Sequence, residues 1–170
     1  MTHEGVATCL KELAGLSLPQ QAQCVRLGAE TVLPLWHSWC RNKGIPGLSG
    51  RLLECFDRWL KGDATDNEFD RIGEEFYATL PKDLRVEPDL PGGYAGWALL
   101  DIRLIALDQC ADVHEDIVQT SICYAAAAYA RVGSEALWGG LTRLTGPELA
   151  FLDGWWDRCR ERFPHLRLAQ

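Results

Sequence analysis

Carboxylates in the middle third of the chain have the spacing that most suggests a function. Residues 63–116 hold 14 acidic and 4 basic side chains. If one helix runs through residues 94–116 at about 100° per residue, four acids fall within an arc of about 60°: Asp101, Asp108, Asp112 and Glu115. The alternative interpretation of this stripe is the solvated face of a core helix. As a functional feature, it predicts a docking surface for a basic partner.

A second acidic run lies at residues 63–75, where the sequence reads DATDNEFDRIGEE. Its candidate partner-binding residues are Asp66, Glu68, Asp70 and Glu74. The alternative interpretation is a capped and solvated helix start, because carboxylates are favoured in a first helical turn. If this run and the stripe are neighbours in space, they form one negative surface that speeds association with a cationic partner.

The segment Asp112-Val113-His114-Glu115-Asp116 has the composition of a metal-ligand cluster but not its spacing. Adjacent residues of a helix point to different faces, whereas metal sites in helical bundles use residues three or four apart. The sequence contains neither Glu-x-x-His nor His-Glu-x-x-His. We therefore predict no metal site and no cofactor.

Arg103 and two tyrosines define an alternative site. Arg103 falls near the apolar side of its predicted helix, a position that requires a carboxylate partner or a path for the guanidinium to reach water. The stretch CYAAAAYA at residues 123–130 is a small-residue helix face, typical of close helix packing. A ligand pocket is the alternative, and it would make the chain a small-molecule-binding or enzymatic domain. Its residues would be Arg103, His114, Tyr124 and Tyr129.

Tryptophan is abundant, with seven residues in the chain. Trp155 and Trp156 are adjacent and therefore differ by about 100° in direction on a helix. We expect one of them to be exposed or to lie at a contact between copies. A homo-oligomer built on an exposed aromatic face is thus a further hypothesis.

Composition excludes several other classes of protein. The chain has 170 residues, 47% hydrophobic and 24% charged, with a net charge of −7, which predicts one globular domain over 1–170. Concentrated negative charge argues against binding nucleic acid or anionic membranes. No apolar span is long enough to cross a bilayer. The seven cysteines form no C-x-x-C pair, and the N-terminus has no secretory pattern, so we expect reduced thiols and a cytoplasmic location.

Hydrophobic periodicity predicts an all-α, single-domain bundle of about six or seven helices, with no alternating strand pattern. Ser17 and Thr65 are predicted caps, Gly62 a left-handed helix end, and Pro34 a kink or break in the second helix. A proline- and glycine-rich loop at 81–93 separates two helical halves. The predicted helices cover about 4–16, 17–41, 49–61, 66–80, 94–111, 113–132 and 147–162, and residues 135–144 are a candidate for a further short helix.

Three stretches resemble the all-helical immunity proteins of bacterial toxin systems. They are Ala29-Glu30-Thr31-Val32-Leu33-Pro34-Leu35, then Trp59-Leu60-Lys61-Gly62-Asp63 closing a helix, then the alanine-rich segment from Ile122 to Ala130. The resemblance implies a cytoplasmic protein that binds and neutralises a toxin, and it assigns no functional residue here. With the acidic middle third, it leads to one hypothesis, a non-enzymatic helical module that binds a basic protein.

Overall fold

The computed structural model of the protein describes residues 2–80, 82, 90–109, 114–130, 144 and 146–166, without the side chains of residues 90 and 114–116. Within these residues every regular element is an α-helix, which confirms the all-α prediction. The short helix predicted at 135–144 lies outside the described residues, apart from Leu144. The helices are α1 (His3–Ala14), α2 (Leu18–Lys43), α3 (Ser49–Lys61), α4 (Asp66–Tyr77), α5 (Leu90–Ala106), α6 (His114–Ala130) and α7 (Gly146–Arg162).

Helix ends follow the local signals in the sequence. Thr65 caps α4, since its Oγ1 accepts a hydrogen bond from the Glu68 backbone N–H at 3.2 Å. Gly62 ends α3 with a φ of 80°, and Gly44 ends α2 with a φ of 66°. Both values lie in the left-handed region that glycine adopts without a steric penalty. The predicted caps are therefore confirmed where the chain turns sharply.

Helix α2 runs through Pro34 to Lys43 without a break, close to the predicted end at about Arg41. One predicted boundary is wrong. Helix α5 begins at Leu90, so its first turn occupies the end of the loop predicted at 81–93. Pro91 lies in that turn, where a helix needs no backbone N–H donor. A proline that suggested a loop is thus compatible with a helix start.

Among the described helices, α2 and α5 have the most extensive contact. On α5, Gly92 and Gly96 lie one turn apart and face the indoles of α2. A Cβ added to Gly92 would lie 2.4 Å from Cβ of Trp39, and one added to Gly96 would lie 2.5 Å from Cζ3 of Trp36. The two indoles stack with their centroids 5.0 Å apart. Glycine on α5 therefore makes the space that the large side chains of α2 fill.

Both tryptophans of the Trp155-Trp156 pair are buried, at 0% and 3% exposure, so the expectation that one is exposed is wrong. The Trp155 Nε1 donates a hydrogen bond to the Cys24 carbonyl oxygen at 2.8 Å. Helix α7 packs against both α2 and α6. Two adjacent side chains on α7 that differ by about 100° in direction can therefore both be buried. This pair consequently offers no exposed aromatic face for an oligomer contact.

Across the part of the chain that the structure describes, none of the helices combines the length and apolar content that crossing a bilayer requires.

Candidate functional site

Arg103 is the centre of the polar contacts between α4 and α5. Its side chain is only 5% exposed, and its Nη1 donates to Asp70 Oδ1 at 2.9 Å and to Glu74 Oε1 at 2.8 Å. The predicted need for a carboxylate partner is confirmed, and it is met by two. One buried cation therefore holds two carboxylates that remain 41% and 60% exposed.

Gly73 gives Arg103 its path between the helices. A Cβ added to Gly73 would lie 2.0 Å from Cδ of Arg103, so no other residue fits there without displacing the guanidinium. Sequence reasoning missed this role. The available signal was a glycine inside a strongly amphipathic helix, a position that costs about 1 kcal/mol relative to alanine unless packing requires it.

The two predicted acidic segments are neighbours at this point. Gln109, just after α5, donates from Nε2 to Asp70 Oδ1, so the residue that follows Asp108 in the chain contacts α4. On α4, Asp66, Asp70 and Glu74 recur every four residues and so follow one edge of the helix. We call Asp66, Asp70, Glu74 and Asp108 the acidic edge. Arg103 is the one cation that the described contacts place against these four carboxylates.

Glu68 does not belong to this edge. Its Oε1 accepts from Arg58 Nη1 at 2.9 Å. Farther along the same side of the α3–α4 pair, Glu75 bridges Arg51 and Arg71. Carboxylates and guanidinium groups alternate there, so the predicted negative surface does not extend to Glu68.

Asp101 is not on the surface, and its prediction as a partner-binding residue is wrong. It is 4% exposed because α5 is packed against α2, α4 and α6 together. The Ser121 side chain hydrogen-bonds the carboxyl, but burial dominates and raises the pKa of Asp101 to about 8. The prediction of an acidic stripe required α5 to face solvent at Asp101. Because α2, α4 and α6 all pack against α5, this position has no solvent side.

The rest of the stripe is also interrupted. Helix α5 ends at Ala106, and Asp108 follows in the left-handed region with a φ of 53°. The Gln109 backbone N–H then returns to the Leu104 carbonyl at 3.0 Å, a common way to close a helix. A continuous helix from 94 to 116 is therefore wrong. Asp112 and the side chain of Glu115 lie outside the described residues.

The described contacts do not bring the alternative pocket residues together. Arg103 turns toward α4, while Tyr124 stacks on Tyr94 of α5 with centroids 5.8 Å apart. Tyr129 is 51% exposed and packs against Phe151 of α7, with centroids 5.3 Å apart. The side chain of His114 lies outside the described residues. The side chains of Arg103, Tyr124 and Tyr129 therefore contact three different helices, α4, α5 and α7.

Among the described residues, no group of three or more His, Cys, Asp or Glu side chains has the arrangement of a metal site. The 112–116 cluster considered for a cation is not part of that set. Comparison with known proteins adds no assignment: no protein-family model, no curated protein and no solved structure matches this chain.

Proposed function

We propose that this chain is a non-enzymatic helical protein-binding module that docks a basic partner on its acidic edge. The observation that carries the proposal is the imbalance around Arg103. One guanidinium, almost fully buried, faces Asp70 and Glu74, whose side chains are 41% and 60% exposed. The positive charge is withdrawn from solvent while carboxylate surface remains available, so the edge keeps a net negative field.

The same ion pairs favour binding in a second way. Arg103 fixes the rotamers of Asp70 and Glu74, and Trp59 Nε1 donates to Asp66 Oδ1 at 2.6 Å. Side chains that are already ordered lose less conformational entropy when a partner arrives. Three carboxylates held along one edge of α4 present a fixed pattern to lysine or arginine side chains, which determines orientation and association rate more than raw affinity.

A basic toxin is the partner that the resemblance to immunity proteins suggests. Toxins that act on nucleic acid need cationic surfaces to hold phosphates, and an acidic inhibitor covers such a surface directly. The proposal places this pair in the cytoplasm.

Two variants of equal net charge test the acidic edge. The first combines Asp66→Asn with Asp108→Asn, which leaves both Arg103 ion pairs intact. Asparagine can still accept the Trp59 hydrogen bond, and it tolerates the left-handed backbone at 108. The control combines Glu12→Gln on α1 with Glu161→Gln on α7. Each protein, immobilised at low salt, is exposed to a lysate of the source organism, and bound proteins are identified by mass spectrometry.

We expect wild type and the control to capture one basic protein that the edge variant loses. With that protein purified, the association rate should fall as salt rises from 50 to about 300 mM, because the Debye length that screens exposed charges shortens from roughly 14 Å to roughly 6 Å over this range. Equal capture by the edge variant and the control, or a rate that does not depend on salt, contradicts the proposal. A toxin gene adjacent to the gene for this chain would support it independently.

A further inference from the structure

A cavity at the corner between α2 and α3 is built from residues that the acidic edge does not use. Its volume is about 410 Å³, within the range of small-molecule sites. It is a broad, open depression in the surface, and Pro34, His37, Arg41 and Gly47 in its lining are exposed. The lining residues are Pro34, His37, Cys40, Arg41, Ile45 and Gly47.

The end of α2 shapes this cavity. Gly44 turns the chain in the left-handed conformation, and the Ile45 backbone N–H returns to the Cys40 carbonyl at 3.1 Å. Residues 45–47 therefore fold back along the last turn of the helix and form a wall. Cys40, only 3% exposed, forms the floor. Burial raises the pKa of its thiol to about 11, so the floor is uncharged at neutral pH.

Arg41 is the unusual member of the lining. Every other arginine in the described part of the chain forms an ion pair with a carboxylate or donates to a hydroxyl or an amide side chain. Arg41 makes no such contact with any described residue, and the described lining of the cavity contains no acidic residue. A free guanidinium offers a planar fork of donors whose geometry matches a carboxylate or a phosphate.

His37 lies one turn before Arg41, on the same face of α2. Its Nε2 is 3.0 Å from Oγ of Ser49, which is fully buried as the first residue of α3. This contact fixes the imidazole at the cavity wall. It also brings the N-terminal end of α3 alongside the cavity, and the positive end of a helix dipole favours anions.

We propose that this cavity binds a small organic anion, a carboxylate or a phosphate monoester. Arg41 holds the charged group in a two-point contact, and His37 lies beside it. Pro34 and Ile45 supply the apolar walls against which the body of the ligand packs. A single inorganic ion would leave these walls unused, because the cavity is several times larger than a phosphate group.

Titration of the intact protein with three aromatic probes tests the ligand class. Phenyl phosphate and benzoate carry the two candidate anions, and benzamide is their uncharged counterpart. By calorimetry or NMR, we expect saturable binding of at least one acid, at least tenfold tighter than benzamide. Arg41→Gln should weaken that binding tenfold or more. Arg158→Gln, the matched control on α7, should leave it unchanged.

A second variant tests the location by filling the cavity. A Cβ added to Gly47 would lie 4.0 Å from both Cβ of Cys40 and Cδ2 of His37, an ordinary contact distance. Gly47→Leu therefore places its side chain in the cavity without a clash and should abolish binding at an unchanged melting temperature. Gly154→Leu, at a glycine with nothing within 4 Å, is the control.

Three results would overturn the proposal: no saturable binding of either acid, benzamide binding as tightly as the acids, or the same affinity in Arg41→Gln and Arg158→Gln. Binding that survives Gly47→Leu would equally remove the assigned location. None of these outcomes depends on the acidic edge, because the two sites share no residue.

Discussion

Asp101 and Arg103 show two solutions to the same problem at the residue scale. Both are polar, and both are buried on the same helix, at 4% exposure each. Arg103 reaches two carboxylates at the rim of the α4–α5 contact. The carboxyl of Asp101 has the Ser121 side chain as a hydrogen-bond partner, while its Oδ2 has no partner among the described residues. The arginine is therefore charged and paired, whereas the aspartate is more stable as the neutral acid.

The neutral state of Asp101 predicts an unusual dependence of stability on pH. Burial raises the pKa of Asp101 to about 8 in the folded protein, whereas an aspartate in the unfolded chain has a pKa of about 4, so between these values the folded state binds a proton that the unfolded state has lost. Stability then falls as pH rises from about 4 to about 8, and this contribution stays lost at higher pH. Asp101→Asn keeps the shape of the neutral acid and should lose less stability over that range.

Urea denaturation at pH 5 and at pH 8.5 measures this difference. Glu161→Gln, at an exposed acid, is the control and should follow wild type. Wild type that is equally stable at both pH values would show that Asp101 does not titrate as described. So would an Asp101→Asn variant that loses as much stability as wild type.

Sequence reasoning identified Arg103 correctly and Asp101 incorrectly for a common reason. Angular position on a helix shows which side chains share a face, but not how many neighbours the helix has. Arg103 needed only one carboxylate in reach, which α4 supplies. For Asp101 to bind a partner, its side of α5 had to face solvent, and the packing of α6 against α5 buries that side. The cavity beside Arg41 was missed because it depends on the path of residues 45–47, which periodicity does not describe.

At the scale of elements, local signals determined most of the helices and packing determined their lengths. Caps at Thr65, Gly44 and Gly62 were predictable because each satisfies a backbone group within a few residues. The start of α5 was not predictable in this way. Gly92 resembles a loop residue in the sequence, and only its contact with Trp39 of α2 explains a glycine inside a helix.

The close contact between α2 and α5 predicts that replacing glycine by alanine has opposite effects on stability at Gly96 and at Gly154. Gly96→Ala places a Cβ within 2.6 Å of both Trp36 and Leu80 and should destabilise the protein by about 1–3 kcal/mol through overpacking. Gly154→Ala on α7 meets nothing within 4 Å and should stabilise it by about 0.5–1 kcal/mol through helix propensity. Thermal unfolding followed by circular dichroism measures both. Equal shifts in melting temperature would mean that α2 and α5 do not pack this closely.

At the scale of the whole molecule, buried cysteines are distributed over most of the helices. Six cysteines, each at most 7% exposed, contribute to the interior from α1, α2, α3, α6 and α7, and all six are free thiols. The core therefore uses cysteine as a small apolar residue. No cross-link among these six holds the helices together.

Thiol reactivity consequently reports on global unfolding. Burial raises the pKa of Cys9 to about 12 and that of Cys123 to about 11, so in the folded protein neither accessibility nor charge favours attack on a disulfide reagent. We expect the five thiols other than Cys40, which lines the open cavity, to react with Ellman's reagent at pH 8 only as fast as the protein unfolds. All seven cysteines should react at once in 6 M guanidinium. Gly96→Ala should accelerate the slow phase and Gly154→Ala should not. Fast release of three or more thiols from the native protein would contradict the prediction, because only Cys40 at the cavity and Cys110, outside the described residues, are exempt from it.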